Sequence, residues 1–81
     1  MAYFIYILRC NDNTLYTGIT TDLTRRVDEH NHSPKGAKYT RVRRPVTLVY
    51  SESVSDRSSA SKREYSIKKM SRVAKLELID V

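Results

Sequence analysis

The sequence is poor in cysteine, glycine and proline: its 81 residues include one cysteine, two glycines, two prolines and no tryptophan. With Cys10 alone there is no internal disulfide and no multi-cysteine zinc site, which points to a reducing compartment and a cytoplasmic location. So little glycine and proline beside 40% hydrophobic residues argues for a folded globule over a disordered tail. No apolar run approaches the ~20 residues that a membrane-crossing helix needs. The opening residues lack both the basic start and the small-residue cleavage site of a signal peptide. Repeats and low-complexity tracts are also missing. A chain of 81 residues has room for one small domain, residues 1–81.

What the chain has in excess is positive charge. Fifteen Lys and Arg against nine Asp and Glu leave a formal net charge of +6. The surplus is not spread evenly. Residues 35–44 contain Lys35, Lys38, Arg41, Arg43 and Arg44 with no acid, and residues 57–75 contain seven bases and one acid, Glu64. Clustered Lys and Arg suit phosphate neutralisation, so a nucleic acid is the expected partner. Binding to a membrane surface is disfavoured, because the basic helix has no wide apolar face carrying large aromatics.

Hydrophobic patterning predicts the elements. Residues 3–8 read as a strand apolar on both faces, Asn11-Asp12-Asn13 as a turn, and residues 15–19 as a second strand. Thr20, Thr21 and Asp22 are N-cap candidates for a short helix over residues 23–30. A long polar connection, residues 31–45, carries Pro34 and Gly36 and is long enough to be a functional loop. Residues 46–50 form a third strand. Asp56 or Ser58 caps a longer helix to about Met70, and Ser71 caps a last one through Leu78. The fold class is therefore α+β: a three-stranded antiparallel sheet flanked by helices, in the order β-β-α-β-α-α. Strands apolar on both faces call for helices on both sides of the sheet.

Three polar features break this pattern. Arg26 and His30 share a helical stripe with Leu23 and Val27. Arg26 either packs its stem and extends its head to water or faces inward for a reason. Glu64 lies between the inward residues Ala60 and Ile67. It either closes a capping box with Ser61 or, in mid-helix, pairs with an arginine or binds a hard cation. One carboxylate with water ligands suits Mg²⁺ better than zinc. Tyr6 and Tyr16 stand equally far from Asn11, so a turn centred there pairs them across the strands. Such a pair is either simple packing or two hydroxyls converging on a site. Gly18, inside the second strand, marks close backbone approach or a bulge.

These residues together resemble a known family. Phe4-Ile5-Tyr6, followed by Tyr16-Thr17-Gly18 ten residues on, is similar to the paired signature of the GIY-YIG nuclease superfamily. Arg26 sits at the offset of that family's helix arginine, and residues 60–69 resemble its metal-binding helix, with Glu64 in the glutamate position. The resemblance covers essentially the whole chain and is nearest the small stand-alone bacterial members. Phe4 replaces the first glycine, Thr17 the isoleucine, and Ile19 a lysine found in some excision-repair members.

The resemblance implies a metal-dependent endonuclease that hydrolyses phosphodiester bonds, in DNA more than RNA, in repair or recombination. Glu64 would hold one divalent ion, Mg²⁺ or Mn²⁺, and Arg26 would stabilise the added negative charge. Tyr6 and Tyr16 would position water and phosphate. His30 would act as an alternative base or support a tyrosine, with Asn31 orienting either. Lys35, Lys38, Arg41, Arg43, Arg44, Lys68 and Lys69 would contact the nucleic-acid backbone, forming the two banks of a groove. Cys10 reads as a packed hairpin residue. A binding module with little or no catalysis is the alternative. A protein adaptor is a third reading, which no aromatic anchor favours. A domain this small has few means of reading bases, so a protein partner is the natural source of further selectivity. Oligomeric state is not legible.

Overall fold

The computed structural model describes residues 2–80. The elements are β1 (Tyr3–Arg9), β2 (Leu15–Thr20), α1 (Leu23–His32), α2 (Lys38–Arg41), β3 (Thr47–Val54), α3 (Arg57–Lys68) and α4 (Arg72–Ile79). The sheet order is β2-β1-β3, and both pairings are antiparallel. The expected order holds, with one addition: the long connection contains the single turn α2. Strand β3 also runs four residues beyond its expected end.

Local chemistry accounts for the helix starts. The Asp22 side chain accepts from the Arg25 amide at 3.0 Å, Asp56 from Ser59 at 2.8 Å, and Ser71 from Ala74 at 3.1 Å. Asp56 as N-cap puts Glu64 in mid-helix, so the capping box with Ser61 is not formed.

Central β1 is buried on both faces, which is why its middle is uniformly apolar. Ile5 and Ile7 pack with Ala60 and Ile67 of α3, and Leu78 and Ile79 of α4 close that side. Tyr6, Leu8 and Cys10 pack with Val46, and Leu23 and Val27 of α1 cover them. Helices thus lie on both faces, as the strand composition requires. Each fully buried Ile or Leu contributes roughly 1.5–3 kcal/mol. Among the described residues no helix is long and apolar enough to cross a membrane.

The hairpin register differs from expectation. Tyr6 pairs with Gly18, and Tyr16 pairs with Leu8. The reason is the turn: Asn13 has φ 67°, and Asp12 Oδ1 accepts from the Thr14 amide and hydroxyl. Asn tolerates this left-handed conformation. The turn is thereby centred on Asp12 instead of Asn11. Because the slip is two residues, both tyrosines still face the α1 side, now as diagonal neighbours.

Candidate active site

Gly18 makes room for Tyr6. A Cβ at position 18 would lie 2.5 Å from the Tyr6 hydroxyl oxygen and 2.6 Å from its Cζ. The phenol ring therefore lies across bare backbone and is 1% exposed. Its hydroxyl reaches His30 Nε2 at 2.8 Å, and His30 Nδ1 reaches Thr40 Oγ1 at 2.7 Å. His30 and Thr40 are both fully buried. Gly36 lets the connection close over this pair, since a Cβ there would meet the Glu29 carbonyl oxygen at 2.7 Å and His30 Cα at 2.9 Å.

Tyr16 is half-buried beside the same imidazole, edge-on with centroids 5.2 Å apart. On its other side it stacks on Tyr39 at 5.9 Å, and the Arg43 guanidinium carbon lies 3.9 Å from the Tyr39 ring centroid. The ladder ends at the hairpin turn, where Arg43 Nε donates to Asp12 at 3.0 Å.

The two hydrogen-bonded groups at the centre are neutral at pH 7. Burial pushes the Tyr6 phenol up to about 12, against the nearby guanidinium of Arg26, which acts to lower it. The charges of Tyr16 and Glu64 act to raise it. Burial likewise pushes His30 down to about 4, with the Arg26 charge adding to the effect. The half-buried Arg26 head donates to Glu29 at 2.9 Å and to the Lys35 carbonyl at 2.9 Å. Burial opposes its charge, but the bond to Glu29 and the neighbouring Tyr6 leave its pKa raised. Arg26 also lines a cleft of about 320 Å³ with Arg25, Arg57, Thr20, Thr21 and Tyr3.

The family model for the GIY-YIG catalytic domain matches residues 2–77. The chain belongs to the GIY-YIG family. Its relatives include the UPF0213 protein of Desulfotalea psychrophila, 62% identical over 78 residues, or 96% of this chain and 71% of that one. A UPF0213 protein of Staphylococcus haemolyticus is 53% identical over 78 residues, covering 96% and 94%. Among solved structures, the solution NMR structure of a UPF0213 protein from Bacillus halodurans superposes with a TM-score of 0.63 at 44% identity, covering 99% of this chain and 84% of that one. A protein of E. faecalis gives 0.68 at 40% identity, with the same coverage. The domain is thus of nuclease type.

In this GIY-YIG domain Tyr6, Tyr16 and His30 converge on the α1 side of the hairpin, where Arg26 of the same helix also stands, while Glu64 is carried by α3, which packs on the Ile5 and Ile7 face of the sheet. Glu64 is paired with Lys68 Nζ at 3.4 Å. Among the described residues no group of three or more His, Cys, Asp or Glu could hold a metal. A single carboxylate does not make a zinc cage. It does fit Mg²⁺, which keeps most of its waters and takes one or two carboxylates plus substrate oxygens.

Several arginines of the basic connection bond within the fold. Arg44 caps the end of α1, donating to the carbonyls of His30 at 2.6 Å, Ser33 at 2.6 Å and Glu29 at 3.4 Å. Arg41 donates to the Pro34 carbonyl at 2.7 Å, and Arg43 to Asp12 and the Tyr39 carbonyl. Lys35 and Lys38 remain exposed. Lys69 lies over the Tyr65 ring. Asn31 does not reach a tyrosine: its amide donates to the Val46 carbonyl and accepts from the Val46 N–H, pinning the approach to β3. Cys10 is packed in the hairpin, and burial pushes its thiol up.

Four residues escaped the sequence reading as parts of the site. Arg25 and Arg57 carried a signal, as the neighbour of Arg26 and the first base of the second basic segment. Tyr39 carried one as well, as the aromatic set among the bases of residues 35–44. Thr40, a threonine in a polar connection, carried none.

Proposed function

We propose that this chain is a metal-dependent endonuclease acting on DNA. The observation that supports it best is the convergence on one buried phenol: Tyr6 is bonded to neutral His30, Tyr16 stands against the same imidazole, and the Arg26 charge acts on the phenol. Hydrolysis of a phosphodiester needs an oriented water and stabilisation of charge developing on phosphate. His30 Nε2 holds the Tyr6 hydroxyl, which leaves the phenol lone pairs to orient a water. Tyr16 stands beside it. Arg26 brings a fixed guanidinium to the phosphate oxygens, already pre-oriented by Glu29 and the Lys35 carbonyl. Glu64 would hold a divalent ion, Mg²⁺ or Mn²⁺, which supplies Lewis-acid polarisation of the phosphate when bound.

Arg25 and Arg57 of the cleft, together with Lys35, Lys38, Lys68 and Lys69, would contact the flanking backbone. Such contacts position without reading bases. Selectivity then comes from nucleic-acid shape or a partner; repair or recombination is the setting the family resemblance implies, and the single Cys10 favours the cytoplasm.

A second reading, binding with little catalysis, is favoured by one observation. A phenol near 12 beside an imidazole near 4 offers no ready base at neutral pH. Plasmid nicking with Mg²⁺ or Mn²⁺ decides between them. Nicking by the wild type that is lost in Arg26→Ala and Glu64→Ala supports the nuclease. Equal nicking by all three indicates contamination and overturns it, and salt-dependent DNA binding without cleavage leaves the binding module.

A further inference from the structure

The hydrogen-bond chain that ends at Tyr6 starts in α2. We propose that Thr40 is a positioning residue of the site, holding His30 as its Nδ1–H tautomer so that Nε2 accepts the Tyr6 proton and fixes the phenol's direction.

Proton counting carries the argument. A hydroxyl has one proton and two acceptor lone pairs, and a neutral imidazole has one N–H. Thr40 Oγ1 lies 2.9 Å from the Ala37 carbonyl oxygen, which can only accept, so the Thr40 proton points there. His30 Nδ1, 2.7 Å from the same Oγ1, must then be the donor. Nε2 is left bare, and the Tyr6 hydroxyl donates to it across 2.8 Å. Each of these three short contacts then holds one proton.

The opposite tautomer does worse. It would let Nδ1 accept from the Ala37 N–H at 3.4 Å, beyond the usual range, and from Thr40. The 2.9 Å contact between the Thr40 and Ala37 oxygens would then hold no proton. It would also aim an Nε2–H at the Tyr6 oxygen and occupy the lone pair that a water would use. The doubly protonated ring is disfavoured by full burial.

Thr40 is suited to this role by its surroundings. It is fully buried, and its branched Cβ restricts the hydroxyl to few directions. The turn that carries it is anchored on both sides, by Arg41 to the Pro34 carbonyl and by Arg43 to Asp12. Its neighbour Tyr39 stacks on Tyr16. One turn of helix therefore braces both tyrosines, Tyr16 directly and Tyr6 through the imidazole.

The catalytic consequence rests on the nuclease reading, but the tautomer does not, and NMR separates them. Long-range ¹H–¹⁵N spectra of the full chain should show His30 with Nδ1 protonated and Nε2 bare. In Thr40→Val the Nδ1 proton loses its acceptor, and the Nε2–H form should appear. Thr40→Ser should restore the wild-type pattern. If the wild type nicks plasmid, kcat for Thr40→Val should fall about tenfold, the worth of one well-placed hydrogen bond, with KM unchanged and with recovery in Thr40→Ser. An Nε2–H tautomer in the wild type, or an unchanged tautomer in Thr40→Val, overturns the proposal. A switched tautomer with unchanged kcat overturns the positioning role. Should Thr40→Val not fold, the wild-type spectrum and Thr40→Ser still decide the tautomer. Wild-type protein that cleaves nothing refutes the nuclease reading, and the spectra then judge Thr40 alone.

Discussion

Lowering the pH from 7 to 4.5 should destabilise this protein by roughly 2–3 kcal/mol through one side chain, His30. The ring is fully buried, and its folded pKa lies near 4 against an ordinary value of 6.5. Between those values the unfolded chain binds a proton that the folded chain excludes. The contribution is therefore complete above about pH 6.5 and is lost as the pH falls toward 4. At 1.36 kcal/mol per unit of separation, the full gap corresponds to roughly 3 kcal/mol, most of it spent by pH 4.5. Carboxylates also titrate on the acid side, so wild type must be compared with His30→Gln, in which their effect cancels. Urea denaturation at several pH values should show the wild type more stable at pH 7 and the gap closing by 2–3 kcal/mol at pH 4.5. The exposed His32 is common to both proteins and drops out. A constant gap, or a His30 ring that titrates near 6.5 in the folded protein, would refute the reasoning.

Two further substitutions test how the site is built. Gly18→Ala should cost about 1–3 kcal/mol as an overpacked core and push Tyr6 off His30, so denaturation and plasmid nicking should both register it; wild-type values in both would remove the glycine's role. Arg44→Met should lose about 1.5–3 kcal/mol of stability, the range for hydrogen bonds to a charged group, while leaving the salt dependence of DNA binding unchanged. A fall of about one in that salt slope would instead place Arg44 on a phosphate.

Much of the fold was legible because its signals are local. Asp22, Asp56 and Ser71 cap the helices that follow them through bonds three residues away. The apolar run in β1 announced a strand covered on both faces, and α1 and α3 do cover it. The hairpin register was less accessible. One left-handed residue, Asn13, moved the pairing by two, and nothing in the alternation of side chains distinguishes registers that differ by two. The one-turn α2 was hidden in a polar connection for the same kind of reason, having no apolar periodicity to reveal it.

The candidate site divides along the same line. Sequence alone determined the family, through the spacing of Tyr6, Tyr16, Arg26 and Glu64, and it determined the charge surplus. Only the tertiary structure decided which of those charges also bond within the fold. Arg41, Arg43 and Arg44 look in sequence like a phosphate bank, yet the chain brings carbonyls and Asp12 to them. A guanidinium partly engaged by its own fold and one left wholly for a substrate have the same letter. Thr40 shows the converse, an unremarked residue ten positions along the chain from His30 that the fold brings to 2.7 Å from the central imidazole. Hydrogen-bond partners far apart in the chain are chosen by packing, and packing is a property of the folded whole.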